Sequence, residues 1–350
     1  MKHFELDQKI DRLIHFEGRD YHYFSGTAYL GIGMNPDFHS KVYEGMKRFG
    51  LNHGQSRGNN VRLKIYDDFE SFFAERAGAE SGIVMSSGYL AGSSALQSCI
   101  NSELIWVAPN THPAILPSHL IPDSSQSFEV WKESCLEESR RLSSQEILIL
   151  GNAADPLTST IHDYSWLKEI GEKHSVQLLI DDSHAFGIVS EGIFGTYDTL
   201  KTLPVEVMVS GSLGKGLGLP AGIILCSEER KSKIKKLRVY GGASPCPPAY
   251  LFAFLQSQDI YFSQKEKLKQ NLASFSQLIQ GIPGMKNTAS YPVFVFEEDG
   301  WVEALEQAGF IISSFHYPTE KDPRINRIVI SAFHKPEDLE LLSDNLHKLA

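Results

Sequence analysis

The sequence predicts an α/β fold: a large domain on a mainly parallel sheet, followed by a smaller α+β domain. Three observations predict it. Short apolar runs recur from about residue 81 to residue 226, the pattern of strands buried on both faces of a parallel sheet. Helix-like stretches separate several of these runs, the alternation expected of a sheet covered by helices on both sides. After about residue 228 the texture changes to long helical stretches mixed with further apolar runs.

In chain order, Tyr66–Arg76 has helical spacing and Ser81–Ser86 is a short strand. Glu103–Ala108, Glu146–Leu150, Val176–Ile180, Val205–Val209 and Ala221–Cys226 follow as strands, with Tyr164–His174 among the helical stretches between them. Farther on, Val293–Phe296, Phe310–Ser313 and Arg327–Ala332 read as strands, and Pro336–Leu349 as a closing helix. The N-terminal residues 1–45 lack the alternation and are expected to pack with the small domain. That sets the expected domains at 46–235 for the large one and 236–350 for the small one. No internal repeat or low-complexity linker interrupts the chain.

With 350 residues, 42% of them hydrophobic, the chain can bury a substantial core. A net charge of -10 and a pI near 5.7 argue against a nucleic-acid partner, which needs a basic face. The basic run Arg230–Arg238 suits one helix with a solvated flank. Four scattered cysteines without a Cys-x-x-Cys pair suggest neither disulfides nor zinc, and they fit a reducing compartment. The start has no apolar signal core, and no run approaches the ~20 residues of a membrane span. A cytoplasmic protein is expected.

The chemistry concentrates in Ser210-Gly-Ser-Leu-Gly-Lys-Gly-Leu-Gly-Leu-Pro220, a glycine-rich bend between two strand-like runs that holds one lysine, Lys215. Burial disfavours a charged amine, so such a lysine is suited to forming a Schiff base with a carbonyl compound. The glycines at 211, 214, 216 and 218 are expected to let the backbone approach a planar ring. A nucleotide phosphate loop would need Gly five residues before the lysine and Ser or Thr after it, where Ser210 and Gly216 stand. A plain surface loop conflicts with the apolar runs on both sides.

Upstream, Asp181 ends the run Val176–Ile180, which puts its carboxylate at the edge where α/β sheets bind ligands. A lysine amine and a carboxylate able to keep a pyridine nitrogen protonated are what pyridoxal phosphate (PLP) chemistry requires of a protein. His184 can then hydrogen-bond the ring's phenolic oxygen or a substrate carbonyl. Taken without Lys215, the group Asp181, Asp182 and His184 reads equally well as metal ligands or helix caps. In Ser86-Ser-Gly-Tyr-Leu-Ala-Gly92, a strand turns into a helix, and the free amides of Gly88 and Tyr89 can receive a phosphate. Any strand-to-helix turn can hold Ser and Gly, so this match gains weight only from its order relative to Asp181 and Lys215.

The ordered set Ser56-Arg57, Phe69-Glu70, Ser87-Gly-Tyr89, Asn110-Thr-His112, Asp181-Asp-Ser-His184, Ser212-Leu-Gly-Lys215, Pro247-Pro248, Pro318-Thr319 and Arg327 to His334 resembles the α-oxoamine synthases. These are fold-type I PLP transferases, 8-amino-7-oxononanoate synthase among them, and the resemblance runs from about Tyr29 to the C-terminus. It implies that Lys215 carries the cofactor as its internal aldimine, that Asp181 binds the pyridine nitrogen and that His184 contacts the ring oxygen. It also implies that His112 stacks on the ring, that Ser212, Gly88 and Tyr89 hold the phosphate, and that Ser244 reaches the cofactor of the second subunit of a homodimer. Arg327 matches an arginine that grips the amino-acid carboxylate. Plainer alternatives are His112 packing before Pro113, and Arg327 on a solvated strand face.

The chain also departs from the family. Thr27 stands where the family has Asn, Val61 and Tyr66 replace Gly and His, and Asn152–Thr160 stands in place of a Ser-Met-Asp-Gly signature. Asn152 and Arg327 are the expected substrate-binding residues, Lys215, His112 and His184 the expected catalytic ones, and no metal is expected. The implied reaction joins a small amino acid to an acyl-CoA, with decarboxylation. An aminotransferase on the same fold is the main alternative, and a cofactor-binding subunit without catalysis is the third.

Overall fold

The computed structural model describes residues 4–99, 104–317 and 320–350. Glu103 of one expected strand, and the Pro318-Thr319 pair, lie outside the described residues. Along the described chain the strands are β1 (Leu13–Phe16), β2 (Arg19–Phe24), β3 (Ser81–Met85), β4 (Leu104–Val107), β5 (Glu146–Asn152), β6 (Ala154–Asp155), β7 (Thr160–Ile161), β8 (Ser175–Asp181), β9 (Glu206–Ser212), β10 (Gly222–Cys226), β11 (Val293–Phe296), β12 (Phe310–His316) and β13 (Arg324–Val329). The chain divides into two compact units, one formed by 37–155 with 162–258, the other by 1–36, 156–161 and 259–350.

The larger unit holds a six-stranded sheet in the order β3-β10-β9-β8-β5-β4. Strands β4, β5, β8 and β9 run parallel, and the apolar runs of β5, β8 and β9 are buried on both faces, as the pattern predicts, while β4 at the end of the sheet is only partly buried. Strand β10 pairs antiparallel with both β9 and β3. The reason lies in the connection Leu213–Ala221, too short for the crossover that a parallel neighbour needs. The lysine bend is therefore a strand-to-strand turn at the sheet edge. Helix Gly88–Cys99 presents Gly88, Ala91 and Ala95, all buried, and these small residues let it lie close to the sheet. Ile83, Leu148, Leu150, Leu179, Met208 and Ile224 form the core beneath it.

The boundaries differ from those expected. Residues 37–45 and 236–258 belong to the larger unit, not to the N-terminal segment and the small domain. The cause is the apolar helix Pro248–Leu255: its Phe254 stacks on Phe73 at 5.8 Å and meets Phe69 edge-on at 5.2 Å in helix Ile65–Ala77. A change of texture near residue 228 marks where long helices begin, not which core they cover. The helical reading of Tyr164–His174 shrinks to Leu167–Gly171.

The smaller unit carries a five-stranded sheet, order β1-β2-β12-β13-β11, with helix Pro336–Leu349 closing the chain. Its first two strands come from the segment that showed no alternation. They form a two-residue hairpin whose Glu17 and Gly18 adopt φ of 52° and 79°, the left-handed pair such turns require. Asp338, buried in the last helix, accepts from Arg12 at 2.5 Å and faces His22 at 2.9 Å, tying the start of the chain to its end. Among the described residues, no helix is long and apolar enough to cross a membrane.

Candidate active site

The sheet topology of the larger unit brings the ends of β5, β8 and β9 side by side, with Asn152, Asp181 and Ser210 in register. Asp181 is 4% exposed. Its Oδ1 accepts the Ser183 backbone N–H at 2.9 Å, which fixes the carboxylate, while its buried Oδ2 has no hydrogen-bond partner among the described residues. A buried acceptor left open is costly unless something fills it, so this oxygen points to a missing donor.

Lys215 hangs from the turn after β9, which closes on itself through Leu213 N–H to Ala221 O and Leu219 N–H to Leu213 O, both at 2.9 Å. Its Nζ lies 2.7 Å from Nε2 of His184, three residues beyond Asp181. Gly218 has φ +64°, so the turn needs a glycine there. The expected purpose of Gly211 and Gly216 is corrected. A Cβ at Gly211 would lie 2.6 Å from the Ser183 nitrogen, and one at Gly216 would lie 2.4 Å from the Phe186 oxygen. These two glycines make room for neighbouring protein backbone rather than for a planar ring.

His112 lies on a turn after β4 that starts with Asn110 at φ 56°. Asn152 braces this turn: its Oδ1 accepts the His112 N–H at 3.0 Å and its Nδ2 donates to the Asn110 carbonyl at 2.7 Å. The His112 Nδ1 accepts the Ala114 N–H at 3.2 Å, so that nitrogen carries no proton and its 4.0 Å approach to Asp181 Oδ2 is not an ion pair. Burial lowers the His112 pKa, Asp181 opposes the shift and the Lys215 charge adds to it. The ring is neutral and half-buried.

Ser212 and Gly88 meet directly, since a Cβ on Gly88 would fall 2.5 Å from the Ser212 Cα. Gly88 and Tyr89 open helix Gly88–Cys99, whose first N–H groups lack intrahelical acceptors, and Ser87 Oγ takes the Leu90 N–H at 3.2 Å. Tyr89 is exposed, as is Ser244, which lies between helices Arg238–Gly242 and Pro248–Leu255. Arg327 belongs to the smaller unit. It is buried with its guanidinium 5.0 Å from the Phe315 ring, donates through Nη1 to Pro156 O at 3.4 Å, and leaves Nε without a partner among the described residues. Among the described residues no group of three or more His, Cys, Asp or Glu is placed to hold a metal.

Sequence reasoning gave no separate role to Asp182, which is fully buried behind Asp181 and accepts from Thr196 N–H at 2.6 Å and Thr196 Oγ1 at 2.8 Å. Burial pushes its carboxyl up to about 7, against the two Thr196 bonds that pull it down, with the Asp181 charge raising it further. A carboxyl that holds its proton more tightly folded than unfolded favours the fold fully below its unfolded value of 3.8, and loses that contribution as pH rises towards 7. Asp182→Asn is expected to abolish this loss. In thermal melts its Tm should gain steadily on the wild type from about pH 4 to about pH 7 and level off above, a difference on the order of a few kcal/mol. A difference that stays constant over that range would refute the assignment.

The chain is 23% identical over 354 residues to an 8-amino-7-oxononanoate synthase from Nitrosomonas eutropha, covering 95% of this chain and 91% of that protein. Its fold matches serine palmitoyltransferase (SPT) from Sphingomonas wittichii at a TM-score of 0.83 and 18% identity, covering 99% of this chain and 91% of the other. A high-resolution structure of SPT with PLP matches at a TM-score of 0.82 and 17% identity, covering 99% and 92%. At such identities the two structures show a shared fold. The family model for aminotransferase class I and II matches residues 28–346, nearly the whole chain, and this protein belongs to that family.

Proposed function

We propose that this protein is a PLP-dependent transferase of the α-oxoamine synthase kind, joining a small amino acid to an acyl-CoA to give an α-amino ketone. The observation that carries the reading is Asp181, buried, fixed by one oxygen and open at the other. The open oxygen is the acceptor that a protonated pyridine nitrogen needs, and the Lys215 amine stands at the same sheet edge, so the residues present fit PLP. When bound, PLP supplies an electron sink for the charge left at the amino acid's Cα.

The chain's own groups then divide the work. Asp181 holds the ring nitrogen protonated, while Gly88, Tyr89 and Ser212 offer donors for the phosphate at a helix N-terminus. Lys215 takes the Cα proton at Nζ, and His184, 2.7 Å away, keeps that amine aligned. The neutral His112 ring offers a flat face for stacking without adding charge beside Asp181. With both ends of its amide engaged, Asn152 acts by positioning His112 rather than by binding substrate as expected from the sequence. Arg327, with a buried Nε to spare, holds the substrate carboxylate. Ser244 serves a second copy of the chain, which makes the working form a homodimer. Four buried, free cysteines suit the reducing cytosol.

In the reaction a carbon–carbon bond forms between Cα and the acyl carbon, the thioester bond breaks to release CoA thiol, and the amino-acid carboxylate leaves as carbon dioxide. Glycine, alanine and serine, each offered with a series of acyl-CoAs, are expected to release thiol in step with carbon dioxide in at least one combination. Thiol release is read with a chromogenic disulfide. No release across the series, with a keto acid turned over instead, would make the protein an aminotransferase. Bound PLP without either reaction would make it a subunit that has lost catalysis.

A further inference from the structure

Three motifs singled out in the sequence have no part in the chemistry above: Ser56-Arg57, Phe69-Glu70 and Pro247-Pro248. The structure gathers them in the larger unit. Arg57 donates to Glu70 at 2.7 Å, with side chains 8% and 2% exposed, and the same Glu70 oxygen accepts the Val84 N–H of β3 at 2.9 Å. A buried ion pair is held at a desolvation cost, and losing one partner strands the other charge, so the pair fixes Arg57 against the sheet. The guanidinium then lies 4.5 Å from the Tyr66 ring and 5.7 Å from the Tyr240 ring, within cation–π reach of both.

From this anchor two hydrogen bonds run to one stretch of chain. Ser56 Oγ donates to the Gly241 carbonyl at 2.7 Å, and the Tyr66 hydroxyl donates to the Cys246 carbonyl at 2.8 Å. They grip residues 241–246 on either side of Ser244. That stretch joins two helices: Ala243 N–H bonds the Val239 carbonyl at 3.0 Å and Cys246 is buried, while Ser244 between them is exposed and Pro245 brings no backbone N–H. We infer that Arg57, through Tyr66 and Ser56, is a positioning residue that holds Ser244 in place for the PLP phosphate of the second subunit.

The inference rests on the cross-subunit reading of Ser244, and hybrid dimers separate the two. In a dimer pairing an Arg57→Ala subunit with a Lys215→Ala subunit, one site combines an intact Lys215 with a Ser244 stretch from a subunit whose Arg57 is intact. Arg57→Ala homodimers are expected to bind PLP about tenfold or more weakly, the loss of a hydrogen bond to a charged group. The hybrid should instead show half the visible absorbance of wild type, titrating at the wild-type Kd. Ser244→Ala paired with Lys215→Ala should do the same. If the Ser244→Ala hybrid recovers and the Arg57→Ala hybrid does not, Arg57 acts in its own subunit and the inference fails alone. If neither recovers, the reading of Ser244 fails and the inference with it. Should Arg57→Ala not fold, Tyr66→Phe deletes only the hydroxyl that reaches Cys246 and must give the same hybrid pattern; wild-type PLP affinity in the Tyr66→Phe homodimer overturns the inference.

Discussion

Lys215→Ala is expected to lower turnover by about four orders of magnitude or more and to abolish the visible absorbance of the PLP-loaded protein, because in the proposed mechanism one amine both holds the cofactor and moves the Cα proton. Lys215 is the lysine that the turn between β9 and β10 delivers to the sheet edge, and its Nζ sits 2.7 Å from His184. The rest of the site does not depend on it. Asp181 is fixed by Ser183, and Gly88 rests against Ser212, so the variant should still take up PLP, more weakly and without the visible band. Lys215→Arg sharpens the result. A guanidinium keeps the positive charge but cannot give up its proton in a protein, so Lys215→Arg should be as inactive as Lys215→Ala if the free amine does the work. Absorbance spectra and single-turnover rates check both. Turnover within about tenfold of wild type in either variant would remove this lysine from the chemistry.

Much of this was legible in the sequence because the strands that build the site are buried on both faces. Such strands read as continuous apolar runs, and where a run stops at a charged residue, as at Asp181, the residue is placed at the sheet edge. Val293–Phe296 and Pro336–Leu349 appear in the structure with the bounds expected. What stayed hidden depends on packing partners. The strands Leu13–Phe16 and Arg19–Phe24 carry Arg19, Asp20 and two histidines, so their polar faces masked the period, although the Glu17-Gly18 turn was a usable signal. Helix Pro248–Leu255 was assigned to the wrong unit because its partner, Phe73, lies far away in sequence. In the site itself, the residue types were visible but their spare valences were not. That Asn152 spends its amide on the His112 turn, and that Asp181 keeps one oxygen open, follows from side-chain geometry that no spacing rule encodes.

The open oxygen also separates function from stability. Asp181→Asn keeps the shape of the side chain and an oxygen for the Ser183 N–H, so the fold has no reason to weaken. It replaces a buried acceptor that lacks a partner with a neutral amide, and the cofactor-free protein is expected to melt at the same temperature or slightly higher. With PLP the balance reverses. An amide cannot hold the ring nitrogen protonated, so the ring loses the charge that stabilises electron density arriving from Cα. Removing one such preorganised interaction typically costs about a hundredfold to a thousandfold in rate. The step is isolated by giving the PLP-loaded protein glycine alone in heavy water and following loss of the Cα proton signal by NMR, since this exchange needs no acyl-CoA. Exchange should slow by that factor in Asp181→Asn, and PLP affinity should fall by about tenfold or more as a charge-assisted hydrogen bond is lost. If exchange proceeds at the wild-type rate while the melting temperature drops, Asp181 is a structural acid and the electron-sink assignment is wrong. If exchange slows while the cofactor-free protein is undisturbed, the buried unpaired oxygen is a cost the fold carries for the sake of the ring it receives.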